Sequence, residues 1–222
     1  MNNYLRKIHF QNQNITSVVK AAIDKRDLLP PNNRPYLESR KQFKITNDTM
    51  QYTGEIHNEK VSEVARRLDR AVKLHGPRIT TFVQYSVKPE LKKIVYDCLP
   101  ANLSKLTPTI AVQFIYGGQA CTPHRDHSKK SSMFYLYTEP DVKTVWWEKI
   151  SDFEEFDDFK YGDPDKLKLA HEEVIETGHW YVFNNEEFHS IHLLEGKLIN
   201  RISLLLEFDV TATELIDIIK NG

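Results

Sequence analysis

Three features are scarce in this chain of 222 residues. Cysteine occurs only as Cys98 and Cys121, and no apolar run reaches the roughly 18 to 20 residues of a membrane-spanning helix. Neither charge sign is in excess, since 30 lysines and arginines stand against 31 aspartates and glutamates. A chain without an overall field of one sign has no general attraction to nucleic acid or to an anionic membrane. These absences argue against membrane and nucleic-acid partners.

The amino-terminal sequence MNNYLRKIHFQNQN has no apolar stretch like the core of a secretory signal. Together with the low cysteine content, this predicts a cytoplasmic protein whose thiols are small buried apolar groups. Hydrophobic residues at 40% and aromatic residues at 11% are typical of a globular protein. The length is sufficient for one structural domain with a sizeable core.

Residues 1–108 have mainly helical patterns and are expected to form a support region that packs on the rest of the chain. The clearest pattern is NEKVSEVARRLDRAVKLHG, residues 58–76, where apolar side chains recur every three or four positions. Two more helices are predicted, from Thr16 to Leu29 and from Pro89 to Cys98, each closely followed by proline. The segments between the helices, PRITTFVQYSV among them, have the pattern of loops with short strands.

Residues 109–222 have a different pattern, of short β-rich runs separated by turn residues, which is typical of a β-sandwich or barrel. A last helix, TATELIDIIK, follows a capping Thr211. The acidic and aromatic segment 151–170 is predicted to be a long loop, either a solvated excursion or a lid that faces the substrate. The eight predicted strands are Ile110 to Tyr116, Ala120 to Asp126, Ser132 to Thr138, Lys143 to Lys149, His171 to Glu176, Trp180 to Asn184, His189 to Leu194 and Arg201 to Phe208.

The second of these strands contains His124 and Asp126. Side chains two residues apart on a strand share one face, so these two can converge on one ion while Arg125 faces elsewhere. Two histidines and one carboxylate on one side of an ion, with three positions open, form the ligand set of non-haem Fe(II) oxygenases. The second histidine must come from a later strand. The candidates are His171, His179, His189 and His192.

The last strand places Arg201 and Ser203 on one face. A guanidinium group matches the geometry of a carboxylate, and a hydroxyl beside it adds another hydrogen-bond donor. The pair therefore predicts an anchor for a carboxylate.

The order of these motifs resembles the Fe(II)- and 2-oxoglutarate-dependent dioxygenase superfamily, and most closely its small prolyl and aspartyl/asparaginyl hydroxylase-like branches. The motifs are His124-x-Asp126, a histidine within FNNEEFHSI about sixty residues later, and then RIS. The resemblance covers about residues 109–208. It implies a double-stranded β-helix core of eight strands, a cupin-like jelly roll, in a mostly β protein with flanking helices.

The resemblance also implies roles for single residues. His124, Asp126 and His189 would be the catalytic metal ligands, and Arg201 with Ser203 would bind 2-oxoglutarate. His189 is favoured over His192 because its FNN..FHSI context matches the family and because residues three apart on a strand tend to face opposite ways. Structural roles are expected for His171 and His179. The candidates for further contacts to the co-substrate or the substrate are Tyr116, Tyr135, Tyr137 and Lys143.

The activity implied is hydroxylation of an unactivated C–H bond in an amino-acid side chain of a protein, a peptide or a free amino acid, with release of succinate and CO2. It would use Fe(II), 2-oxoglutarate as co-substrate and O2, with ascorbate as a reductant. Asp126 favours hydroxylation over halogenation, because a related halogenase has a small residue there. The last strand has no second arginine soon after Arg201, unlike that of the nucleic-acid demethylases.

Two alternatives remain open from the sequence. One is a metal-binding β-helix without oxygenase activity that acts as a sensor or binding module. The other is a cupin-like metalloenzyme that needs no 2-oxoglutarate, against which Arg201 and Ser203 argue.

Overall fold

The computed structural model describes residues 4–10, 13–25, 27–29, 43–45, 50–52, 81–116, 123–126, 129–140, 142–153, 164–195 and 200–221. The strands in these ranges are β1 (Leu5–Ile8), β2 (Phe43–Ile45), β3 (Met50–Tyr52), β4 (Thr81–Ser86), β5 (Thr109–Tyr116), β6 (Ser131–Leu136), β7 (Val142–Lys149), β8 (Leu167–Val174), β9 (Trp180–Asn184), β10 (Phe188–Leu193) and β11 (Asn200–Phe208). The helices are α1 (Gln13–Asp24), α2 (Pro89–Cys98), α3 (Ala101–Ser104) and α4 (Ala212–Lys220), with a 3-10 turn at Pro164–Lys166.

Two antiparallel sheets form the core of the protein. The larger sheet has the strand order β1-β9-β6-β11-β5-β4, and the smaller has the order β10-β7-β8. His124 joins the smaller sheet through an isolated bridge to His189 on β10. From β5 onward the chain therefore passes repeatedly from one sheet to the other, which is the connectivity of a double-stranded β-helix. The predicted fold, a mostly β protein with a jelly-roll core and flanking helices, is confirmed.

The helices cover the outer face of the larger sheet. Alternate residues of β11, including Leu204 and Leu206, point to this side and are fully buried against the helices. Ile15 and Val19 lie four residues apart on α1, so they share a face and enter the same cluster. Leu215 of α4 completes it from the other end of the chain. Each such side chain contributes about 1.5–3 kcal/mol by its burial.

The inner face of the larger sheet packs against the smaller sheet. An aromatic cluster fills one part of this interior and includes Phe134, Trp146, Tyr181 and Phe183. A smaller cluster of Ile115, Val142 and Ile191 joins the two sheets further along. Because side chains alternate along each strand, the residues of β11 next to those that face the helices must face this interior. Arg201 and Ser203 are such residues.

The helix predictions agree well with the structure where it describes the chain. The bounds of α2 are those predicted, whereas α1 begins at Gln13 and ends at Asp24, before the predicted end at Leu29. At the start of α4 the Thr211 side chain accepts a hydrogen bond from the Glu214 amide, and the Glu214 carboxylate accepts one from the Thr211 amide. The helix predicted at residues 58–76 lies outside the described residues.

Most strand bounds lie within one or two residues of the prediction, and two segments call for comment. β8 begins at Leu167 instead of His171, because the chain already pairs with β7 there, so the loop predicted at 151–170 is shorter at its end. Of that loop, residues 154–163 lie outside the described part. In the predicted strand from Ala120 to Asp126 only residues 123–126 are described, and only His124 pairs with another strand.

Residues 1–108 contribute strands as well as helices. β1 was not expected and pairs with β9, while β4, within the predicted short-strand segment, pairs with β5. The larger sheet therefore extends across residue 108, and the division of the chain at that residue stays a prediction. Cys98 is half-buried, whereas Cys121 lies outside the described residues. None of the described helices has the length and apolarity to span a bilayer.

Candidate metal centre

Three of the predicted site residues lie together at the mouth of the barrel. His124, Asp126 and His189 each offer one donor atom, and these atoms lie within 4.8 Å of one another. Backbone hydrogen bonds hold the two histidines side by side. The His124 amide donates to the His189 carbonyl (2.9 Å), and the His189 amide donates to the His124 carbonyl (2.8 Å). The ring centroids are consequently 4.5 Å apart.

The Asp126 carboxylate lies between the two imidazoles. Its Oδ1 is 3.9 Å from Nε2 of His124, and its Oδ2 is 3.9 Å from Nε2 of His189. Both distances exceed a hydrogen bond. An ion with bonds of about 2.0–2.2 Å needs neighbouring ligand atoms about 3 Å apart, so a small closure of the side chains would bring all three onto one cation. The site is accessible from outside, because 43% of the Asp126 side chain is exposed.

His189 is oriented for metal binding by its own backbone surroundings. Its Nδ1 lies 3.0 Å from the Glu187 carbonyl oxygen and donates to it, which leaves the lone pair of Nε2 facing the cluster. Burial lowers the pKa of His189 to about 4, and nearby His124 acts in the same direction, whereas Asp126 opposes the shift. The ring is therefore neutral near pH 7. A neutral imidazole is the form that binds a metal ion.

Two imidazoles and one carboxylate can hold a divalent transition metal from one side, which leaves positions for other ligands on the open side. The geometry of the described residues fits such an ion. This donor set does not select iron, because manganese, cobalt, nickel and zinc accept the same ligands.

The other candidate histidines lie away from this cluster. His192 points to the outer side of the smaller sheet, where its Nε2 lies 3.0 Å from Ser190 Oγ. The ring of His171 stacks against that of Tyr4, and its Nε2 is 3.3 Å from Glu173. An exposed His179 lies 3.7 Å from Glu176. The structure thus places His189, and none of these three, beside His124.

Arg201 and Ser203 are buried inside the barrel, as their position on β11 requires. The guanidinium carbon of Arg201 lies 5.5 Å from the centroid of the Phe134 ring, and only 8% of the residue is exposed. Its positive charge contributes to the lowered pKa of His189, so the two side chains act on one another within this interior. Ser203 Oγ donates to Gln113 Oε1 at 3.3 Å. Gln113 was not singled out from the sequence, although its alternation with Val112 on β5 places it on the inner face.

The hydroxyl of Thr144 and the indole N–H of Trp146 are buried in the same interior, in residues that are 2% and 0% exposed. Neither has a hydrogen-bond partner in the part of the chain that the structure describes. Both belong to the inner face of β7. An unsatisfied buried group of this kind costs about 1–3 kcal/mol. The sequence alone gave no reason to select Thr144, because threonine is a common residue in β strands.

The tyrosines predicted to contact a co-substrate do not lie at the cluster. Tyr135 and Tyr137 point to the helical side of β6, where the Tyr137 hydroxyl donates to the Thr16 carbonyl (2.9 Å). Burial raises the pKa of Tyr137. The physical reason is strand alternation, since Phe134 is an inward residue of β6 and its neighbour Tyr135 must face outward. Neither tyrosine therefore lies beside the His124-Asp126-His189 group.

Tyr116, the third predicted tyrosine, ends β5 and pairs with Asn200. Its side chain lies outside the described part of the structure, and its role stays a prediction.

No family model matches the chain, and no curated protein matches it. Among solved structures, L-ribose isomerase from Cellulomonas parahominis, with L-psicose, is similar at 10% identity and a TM-score of 0.39, over 87% of this chain and 80% of that one. Vicilin from hazelnut (Corylus avellana) has 10% identity and a TM-score of 0.34, over 58% of this chain and 28% of its own. The polyketide cyclase RemF from Streptomyces resistomycificus has 12% identity and a TM-score of 0.30, over 57% and 64%.

The chain thus spans less than a third of the hazelnut vicilin that it matches. Likenesses this distant carry no argument about activity, so the fold assignment depends on the strand pairing described above. The chain is a mostly β protein with a double-stranded β-helix core, and its His124-Asp126-His189 group can bind a metal ion.

Proposed function

We propose that this protein is an Fe(II)- and 2-oxoglutarate-dependent oxygenase. It hydroxylates an unactivated C–H bond in an amino-acid side chain of a protein, a peptide or a free amino acid, and releases succinate and CO2. The proposal depends on one observation. The His124-Asp126-His189 group and the buried guanidinium of Arg201 face the same interior of the protein. The positive charge of Arg201 contributes to the lowered pKa of His189.

The three ligands would hold the ion from one side. Fe(II) with 2-oxoglutarate and O2 supplies oxidising chemistry that amino-acid side chains lack. The task of this chain is to bind and orient the reactants. His189 has a fixed ring orientation through Glu187, and His124 is fixed to it through two backbone hydrogen bonds. The Asp126 carboxylate adds negative charge that favours a divalent cation over a neutral ligand.

Arg201 is suited to hold one carboxylate of a diacid. Its guanidinium can form two parallel charge-assisted hydrogen bonds, which are stronger away from water than at a surface. Ser203 lies two residues further on the same face, and its hydroxyl can rotate from Gln113 toward a ligand. A diacid whose other end reaches the metal ion would fill the interior between these groups.

The inner part of the site is apolar, whereas its outer part is open to solvent. The aromatic residues around Phe134 and Trp146 exclude water from the inner part of the site. Asp126, at the mouth, is 43% exposed in its side chain, so a substrate can approach the ion from there. We place this activity in the cytoplasm, on the basis of the low cysteine content, and expect neither membrane nor nucleic acid as partner.

Uncoupled turnover tests the proposal. The purified protein is incubated with Fe(II), ascorbate and 2-oxoglutarate, and succinate is measured by NMR. We expect succinate from the wild type and none above background from Asp126→Ala. A matched control is Asp97→Ala, which removes an exposed aspartate of α2 that pairs with Lys93 on the same helix, on the helical side of the larger sheet. It should leave succinate formation unchanged.

The same assay separates the oxygenase from a second candidate, a metal-binding β-helix that acts as a sensor or binding module. The His-Asp-His group supports metal binding in both cases. Folded, iron-loaded protein that forms no succinate would contradict the oxygenase proposal and favour the module. Succinate formation that is equal in the wild type and in Asp126→Ala would contradict the assignment of the ligands.

A further inference from the structure

Asn185 is a polar residue whose side chain is enclosed by the protein. It lies in the turn between β9 and β10 and is 1% exposed. The preceding Asn184 already has the usual role of an asparagine in a turn, because its Oδ1 accepts a hydrogen bond from the Glu186 amide two residues on. The backbone of residue 185 does not require asparagine either, since Thr107 is the one non-glycine residue with a positive φ in the part of the chain that the structure describes. Turn chemistry therefore does not account for the buried amide of Asn185.

The side chain of Asn185 contacts Ser132 on β6. Ser132 is 5% exposed and lies on the inner face of the larger sheet, and its Oγ donates to Asn185 Oδ1 at 3.1 Å. The Asn185 amide donates to the Lys130 carbonyl, also at 3.1 Å, just before β6 begins. One side-chain and one backbone hydrogen bond thus fix Asn185 against the start of β6. Buried bonds of this kind are costly to leave unmade.

The carbonyl of Asn185 binds the segment that carries Asp126. It accepts a hydrogen bond from the Asp126 amide at 3.1 Å. The two histidines of the group are positioned by their mutual backbone bridge, and His189 also by the Glu187 carbonyl. Asp126 takes part in neither contact, and its side chain is the most exposed of the three, at 43% against 27% for His124 and 9% for His189. Its position therefore depends on where Asn185 places that carbonyl.

Resting on the metal centre of the function proposed above, we propose that Asn185 is the positioning residue for Asp126. Ser132 fixes the Asn185 side chain, and the Asn185 carbonyl then holds the Asp126 backbone so that the carboxylate meets the ion between the two imidazoles. Residues that contact a metal ligand, and not the metal, change metal affinity by about 10–100-fold when they are replaced. Asn185 thus acts on the affinity and geometry of the ion and not only on the stability of the fold.

The test measures binding of Co(II), whose visible absorption reports on the ligands of the ion. Titration gives the affinity, and the spectrum is recorded at saturation, without turnover. The variants are Asn185→Ala, which removes the amide, Ser132→Ala, which removes its donor, and Ser132→Thr, which keeps the hydroxyl. Ser131→Ala is the matched control, because Ser131 is the adjacent buried serine on the helical side of β6, and its Oγ donates to the Val210 carbonyl at 2.7 Å.

We expect Asn185→Ala to bind Co(II) about ten-fold more weakly than the wild type, and its spectrum to shift toward that of Asp126→Ala. Ser132→Ala should change affinity and spectrum in the same direction. The double variant should lose no more affinity than Asn185→Ala alone, because both residues act through one hydrogen bond. Ser132→Thr and Ser131→Ala should bind Co(II) like the wild type, although Ser131→Ala should melt at a lower temperature, since it also loses a buried hydrogen bond. Should Asn185→Ala not fold, the comparison of Ser132→Ala with Ser131→Ala decides alone.

Two results would overturn the role of Asn185 alone. They are a wild-type affinity and spectrum in Asn185→Ala, and an equal loss of affinity in Ser132→Ala and Ser131→Ala, which indicates a general structural effect. A wild-type protein that binds no Co(II) would overturn this inference and the proposed function together. The expected Co(II) results from a protein that forms no succinate would support the role of Asn185 and contradict the oxygenase.

Discussion

Acidification should lower the free energy of unfolding of the metal-free protein, because the imidazole of His189 is buried. Burial holds the pKa of this ring at about 4 in the folded protein, against an ordinary value of 6.5. In the unfolded chain the ring takes up a proton below pH 6.5, whereas in the folded protein it does so only near pH 4. The unfolded state therefore binds more protons between these values, and stability must fall as the pH falls through this window.

The size of the effect follows from the shift. Each unit of difference between the folded and unfolded pKa corresponds to about 1.4 kcal/mol, so His189 should reduce the free energy of unfolding by on the order of 3 kcal/mol once the pH is below 4. About half of this loss should be present near pH 5. A loss of this size is a large fraction of the stability of an ordinary domain.

Urea unfolding of the chelator-treated protein between pH 7.5 and 4.5 measures this loss. His189→Gln removes the titrating group, and its free energy of unfolding should depend less steeply on pH below 6.5 than that of the wild type. His179→Gln is the matched control, because it replaces an exposed histidine outside the cluster and should keep the wild-type dependence. Equal pH dependence in the wild type and His189→Gln would refute the reasoning.

Three further predictions concern the core, a helix cap and the metal. Leu204→Ala should lower the free energy of unfolding by about 2–5 kcal/mol in urea titrations, because the Leu204 side chain is fully buried against the helices. Glu90→Ala, at an exposed position of α2, is the control and should lower it by much less. Thr211→Ala should cost about 1 kcal/mol, since it removes the cap of α4, and Thr213→Ala in the same first turn serves as its control; equal effects would contradict the capping role. Removal of metal by a chelator should lower the melting temperature of the wild type, and the difference should vanish in His124→Ala, as calorimetry can show.

The parts of the fold that the sequence predicted are those governed by short-range rules. The bounds of α2 follow from Pro89 at its first position and Pro100 beyond its end, and the cap of α4 follows from Thr211 and Glu214. The β strands could be counted because turn residues separate them. β1 could not be predicted, since the four residues LRKI have no distinct alternation and become a strand only by pairing with β9.

The candidate site illustrates the same limit. His124 and Asp126 are close in sequence, so their common face could be inferred from strand geometry, and the placement of His189 followed from its motif. Tyr135 lies on the helical side of β6, which could not be foreseen, because the inner face of β6 is defined by its partner strands and not by its own sequence. Thr144 was missed for a related reason. Its buried hydroxyl has no hydrogen-bond partner among the described residues, and this is visible only once its neighbours are known.

The bridge between His124 and His189 has a consequence for how the barrel closes. Besides the two hydrogen bonds of this bridge, the Asp126 amide donates to the carbonyl of Asn185, which lies in the turn between β9 and β10. A cation shared by His124, Asp126 and His189 would cross-link residues 123–126 to β10 at the same point. Binding of the ion would thus fix this segment against β10, and hydrogen exchange at the His124 amide would become slower.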